Sequence, residues 1–199
     1  MSDRPLSSGG SPTANFGEVG VRVAAQSTTS GDVGWAPMRE TGRVTTAGVT
    51  VEDVAPEVTY ELRGAILRPN GGEITWDGDE DPDTFHLAAR TPDDRVVGVV
   101  RFSPAPCPWR PMAASAWQLR GMATDEVVRG SGAGRALVED GLRRVADRGG
   151  DLVWCDARTS AAGFYERMGF SVVTDEFDKP GIGPHVGMVI EVRPADGPR

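Results

Sequence analysis

Residues 127–137 read Val127-Val128-Arg129-Gly130-Ser131-Gly132-Ala133-Gly134-Arg135-Ala136-Leu137. Three alternating glycines stand where a helical pattern begins: residues 132–148 carry Ala136, Leu137, Gly141 and Val145 on one side. Ahead of them, residues 116–124 read as a strand. A glycine turn between strand and helix lets backbone N–H groups converge on an anion, because no Cβ obstructs the approach and the helix presents its positive end there. The segment therefore predicts a phosphate cradle built from Arg129, Gly130, Ser131, Gly132, Ala133, Gly134 and Arg135, with the two arginines adding charge. A Walker loop needs Gly-Lys-Ser/Thr at its end, and here Gly134 is followed by Arg135-Ala136. A dinucleotide fingerprint would put its third glycine at Arg135 and would follow the strand directly, whereas residues 125–129 intervene. A turn that binds nothing is the simpler alternative at this point.

Outward from the loop, the chain alternates strands and helices. Residues 49–54 form a short strand, residues 56–67 a helix with Val58, Leu62 and Ile66 on one face, and residues 85–89 and 95–102 a hairpin around Thr91-Pro92-Asp93-Asp94. Beyond the long helix come a buried strand (151–156), a short helix (161–168) and two final strands (170–174, 186–192). The order β-α-β-β-β-α-β-α-β-β gives an α/β class with a mixed sheet covered by helices, and the alternation in the second half predicts parallel pairing there. Residues 1–47 are rich in Gly, Ser and Thr without a period, so a disordered tail is expected ahead of a domain over 48–193, with 194–199 as a C-terminal tail.

The net charge of −8 in 199 residues argues against a nucleic-acid-binding module. Nothing approaches a membrane span and no signal peptide opens the chain, so a cytoplasmic protein without a membrane partner is expected. Cys107 and Cys155 lack metal-site spacing, and neither has the surroundings of a nucleophile.

Arg129-x-x-Gly132-x-Gly134 after a strand resembles the acyl-CoA-binding motif of the GNAT N-acetyltransferase superfamily. Ala161-Ala162-Gly163-Phe164-Tyr165-Glu166-Arg167-Met168-Gly169-Phe170, one helix and one strand later, resembles that superfamily's second signature. Residues 118–123 and 180–185 resemble a bacterial subgroup whose acceptors are mostly not established. The resemblance covers about residues 48–193. It implies a GNAT-like acyl-CoA N-acyltransferase fold, acetyl-CoA as cosubstrate with no metal, and acetyl transfer to a primary amine of a small molecule or peptide. It implies that pyrophosphate rests on the 129–135 backbone and that the pantetheine arm pairs with Met122, Ala123 and Thr124, where the strand splays from its neighbour. It also implies Tyr165 as general acid for the departing thiolate. Many members carry Asn where this chain has Arg158, so that CoA contact does not carry over. Many relatives are dimers, which makes a homodimer an expectation. The rival function is a non-catalytic acyl-CoA sensor or interaction module.

The motifs leave the base open among His86, His185 and Glu126. His86 on an apolar strand also reads as a packed core histidine, and His185 as a turn-ordering residue. Asp77, Asp79, Glu80, Asp81 and Asp83 read more readily as a solvated loop than as a device that attracts a cationic acceptor.

Overall fold

The computed structural model describes residues 44–193 apart from residue 47, with side chains from residue 48 onward. The expected tails fall outside the described residues, except that Val44–Thr46 forms a strand. Among the described residues nine strands form one sheet: β1 (Val44–Thr46), β2 (Val49–Val54), β3 (Phe85–Arg90), β4 (Val96–Pro104), β5 (Ala116–Thr124), β6 (Leu152–Arg158), β7 (Ser171–Val172), β8 (Phe177–Lys179) and β9 (Gly183–Glu191). Their order is β1-β2-β3-β4-β5-β6-β9-β7, with β8 also pairing β9. The helices are α1 (Glu57–Leu67), α2 (Ala133–Asp147) and α3 (Ala162–Arg167).

The mixed α/β class expected from the element order is the one found. Among the described residues parallel pairing is limited to β5 with β6, because the chain returns from α3 through β7 and β8 into β9, which runs antiparallel to β6, β7 and β8. Two short strands, β1 and β8, carry too few residues to establish a period of two and gave no signal in the sequence.

Pro56 caps the start of α1, its fixed φ of −55° suiting the first turn, and the helix ends before Pro69, which disfavours helical backbone at Arg68. Its Val58, Leu62 and Ile66 cover Ala88, Val99 and Ala123 on one face of the sheet. α2 lays Ala136, Leu137 and Val145 on the opposite face, against Leu87, Val100, Phe102 and Leu119. Gly141 is obligatory on that inner stripe, since a Cβ there would lie 2.1 Å from the Phe102 ring. α3 joins the same layer through Tyr165 and Phe170. The hairpin between β3 and β4 closes on Asp94 at φ 66°, where short polar side chains tolerate left-handed backbone.

Candidate active site

β5 and β6 pair over only three positions: Ala116 with Leu152, Trp117 with Val153 and Gln118 with Trp154. Past Leu119 and Cys155 the strands separate. The cause lies in β5, where Gly121 and Met122 together oppose Val100 of β4, so the register slips between Val99 and Arg101. This is a β-bulge with its glycine at φ 65°, a geometry that bends the strand and re-aims its edge. The Trp76 ring lies against the glycine, and a Cβ at Gly121 would come 2.6 Å from it. The gap becomes a cleft of about 230 Å³ that passes through the sheet. Met122, Ala123 and Thr124 lie on the β5 edge beyond the last paired residue.

On the α2 side the glycine loop meets the cleft. Gly130 and Gly132 hold φ 79° and 93°, and the first intrahelical bond runs from Ala136 N–H to the Gly132 carbonyl at 2.9 Å. The N–H groups of Gly130, Gly132, Gly134 and Arg135 have no partner among the described residues. No neighbour stands within 4 Å of where a Gly130 Cβ would be, so the approach there is open. Gly134 has a different cause: its Cβ would crowd Met122 at 3.0 Å, so it serves the packing of α2 on β5. Ser131 Oγ accepts from Ala133 N–H at 3.4 Å. The two arginines are less free than their sequence position suggests. Arg129 pairs with Glu126 at 2.9 Å and Arg135 with Glu139 at 2.8 Å, both on the surface. Such exposed pairs contribute only about 0–1 kcal/mol, so either arginine can exchange its glutamate for a phosphate.

Tyr165 extends from α3 into the cleft between the splayed strands. Phe164 and Phe170 meet its ring edge-on at 5.1 and 5.4 Å, and its hydroxyl donates to Met122 Sδ at 3.5 Å. Burial holds the phenol well above its ordinary value of 10, so it is a proton donor across the whole physiological range. Cys155, opposite, is raised by burial as well and stays a thiol; it is a packing residue.

The α1 side of the cleft holds features that no motif marked. Arg63, completely buried on α1, donates to Asp79 at 3.0 Å and to His86 Nδ1 at 3.0 Å and stacks on Trp76 at 4.4 Å. Arg101 completes the group at 3.3 Å from Asp79. The acidic stretch is therefore divided: Asp77, Glu80, Asp81 and Asp83 face solvent, whereas Asp79 is the buried counter-ion that pins the loop to the sheet. Sequence spacing alone could not separate it from its neighbours.

His86 accepts at Nδ1 and donates from Nε2 to the Asp79 carbonyl at 2.9 Å, so both nitrogens are occupied. Burial lowers its pKa and the ring stays neutral, which makes it the packed core histidine. Glu126 is exposed beside the glycine loop, paired to Arg129. Of the three base candidates only His185 lines the cleft. Its Nδ1–H donates to the Gly183 carbonyl at 2.7 Å, so the neutral ring keeps Nε2 as an acceptor. Beside it, Lys179 is paired with Asp156. Arg158 lines the same wall and donates to the Leu67 carbonyl at 3.0 Å.

Comparison with known proteins bears on the family and the fold. The model of the acetyltransferase (GNAT) family matches residues 53–170. The N-acetyltransferase YitI of Bacillus subtilis, itself uncharacterised, is 36% identical over 145 residues, covering 72% of this chain and 96% of the relative. Among solved structures, Escherichia coli ElaA aligns with a TM-score of 0.57 at 22% identity, covering 71% of this chain and 98% of that one. An aminoglycoside 6'-N-acetyltransferase complexed with coenzyme A aligns with a TM-score of 0.55 at 17% identity, covering 74% and 99%. At those identities the two structures speak for the fold.

Proposed function

The chain belongs to the acetyltransferase (GNAT) family, and on that premise we propose that it transfers the acetyl group of acetyl-CoA to a primary amine of a small molecule or peptide by direct attack. The observation that carries the reading is the Tyr165 hydroxyl, buried and protonated, at the centre of a gap whose β5 edge is unpaired. A pantetheine arm is an amide chain of the right width to lie along such an edge as an extra strand. Its pyrophosphate reaches the open N–H groups of residues 130–135 at the start of α2.

The donor thioester then lies beside Met122 and Ala123, where a backbone N–H stabilises the oxyanion that forms as the amine nitrogen attacks the carbonyl carbon. The C–S bond breaks as the new C–N bond is completed, and Tyr165 gives its proton to the leaving sulfur. A phenol with pKa near 10 and a thiol near 8.5 differ by about 2 kcal/mol in water, and burial raises both, so the transfer is feasible. The proton lost by the attacking ammonium goes to His185 Nε2 or through it to water, and solvent restores Tyr165.

The test is release of free CoA thiol from acetyl-CoA with an amine panel, the N-acetyl product confirmed by mass. Acetylated product is the expected result. CoA binding without thiol release from any amine would instead support a sensor.

A further inference from the structure

We propose that the amine acceptor is an anion, an amine whose molecule also carries a carboxylate, held by Arg68, Arg120 and Arg158. The proposal rests on the transferase reading above and names its substrate class.

The three arginines come from α1's C-terminal end, β5 and β6, and all line the one cleft. Arg68 and Arg158 donate to the same carbonyl, that of Leu67, at 2.9 and 3.0 Å, which sets their heads side by side. Arg120 stacks on Trp76 at 4.6 Å. None of the three has a carboxylate partner among the described residues. The acids nearest Arg120 are already taken, Asp156 by Lys179 and Asp79 by Arg63 and Arg101. Burial, together with Arg101 and Arg68, makes the charged form of Arg120 less favourable, and the opposing pull of Asp156 and Asp79 offsets this only in part.

These charges are not explained by CoA phosphates. Side chains alternate along a strand, so Arg120 shares its face of β5 with Ala116, and Arg158 shares its face of β6 with Leu152 and Trp154. That is the α1 face, shown by the Arg63–Trp76–Arg120 stack, whereas the glycine loop and α2 lie on the other. In a chain of net charge −8, three uncompensated guanidinium groups at the acceptor mouth favour an anion and repel polyamines and aminoglycosides. Planar forks at different angles suit a carboxylate in particular.

Calorimetry on the CoA-saturated protein tests this with N-acetylated glycine, leucine and glutamate, each against its C-terminal amide. The corresponding free amino acids and amides serve as acceptors in a thiol-release assay. At least one carboxylate should bind tenfold or more tightly than its amide and show the same preference in kcat/KM. Arg120→Gln and Arg158→Gln should each remove most of that preference while CoA affinity stays within twofold, which reports an intact fold. Amides that bind as well as their acids, or a preference that survives both substitutions, would overturn the proposal. If no acceptor releases thiol yet the arginine-dependent preference for the acid persists, the anion site stands and the transferase reading fails.

Discussion

Replacing Tyr165 by Phe separates chemistry from architecture unusually well, because the hydroxyl does so little for the fold. Its partner is a thioether sulfur at 3.5 Å, a weak acceptor, while the ring is held by Phe164 and Phe170 through contacts that Phe reproduces. A buried hydroxyl so poorly bonded contributes about 1 kcal/mol or less, and the variant should unfold within about 1 kcal/mol of wild type. The catalytic cost is larger. A hydrogen bond to a charged leaving group is worth about 1.5–3 kcal/mol, and full proton transfer by a positioned acid contributes about 10²–10⁴ in rate. The expected fall in kcat is therefore about 10²-fold, with KM for acetyl-CoA changed less than about threefold, since none of the proposed pyrophosphate and pantetheine contacts uses the Tyr165 hydroxyl.

The pH profile supplies a second readout. Because burial raises the phenol above 10, wild-type kcat should show no loss from Tyr165 ionisation up to about pH 10. By the same sign, Tyr165 costs stability only above pH 10, where the unfolded chain ionises and the folded one does not. Steady-state kinetics by thiol release, with thermal melts of both proteins, check all of this. A variant with kcat within threefold of wild type would refute the acid role.

Asp79→Asn leaves Arg63 and Arg101 buried without their anion and should cost about 3–5 kcal/mol by urea denaturation; a loss below 1 would show that the group is not coupled. Gly141→Ala gains up to about 1 kcal/mol of helix propensity but drives a Cβ to 2.1 Å from Phe102, itself stacked on Phe85, so a net loss of about 1–2 kcal/mol is expected in the same assay. His86 is held neutral below its ordinary 6.5. The stability it contributes is complete above pH 6.5 and is lost as the pH falls below that, because the unfolded chain binds the proton first. Comparing wild type with His86→Gln between pH 7.5 and 5 should show a steeper loss in wild type, and parallel curves would contradict it.

The glycine loop, the long helix and the hairpin were legible because each is written in consecutive residues: alternating glycines, a 3.6-residue stripe, a Pro-Asp-Asp turn. Tyr165 stood in a motif and could be singled out. Other parts depend on contacts between distant positions. Parallel pairing after β6 was a reasonable inference from alternation, but the return of β9 beside β6 is decided by where β7 and β8 lead the chain. Asp79 cannot be told from Asp77 or Asp81 until Arg63 and Arg101 close on it. Arg68, Arg120 and Arg158 lie on three separate elements far apart in the sequence, and no local pattern joins them. Arg158 drew notice only as a departure from the family's asparagine.

The three-residue junction of β5 and β6 makes the molecule a pair of jaws. α1 and α2 pack chiefly on the half from β1 to β5, and α3 on the half that holds β6, β7 and β9, so each jaw has its own backing and they meet at one end of the sheet. The cleft's walls come from both: Trp76 and Arg120 ride on one jaw, Lys179 and His185 on the other. If acetyl-CoA lies along the open edge as proposed, it bridges both jaws, and CoA is then expected to tighten amine binding, which calorimetry with and without CoA checks. The spacing of the two walls is thus a mechanical property of the sheet, set where Gly121 at φ 65° bulges β5 away from its neighbour.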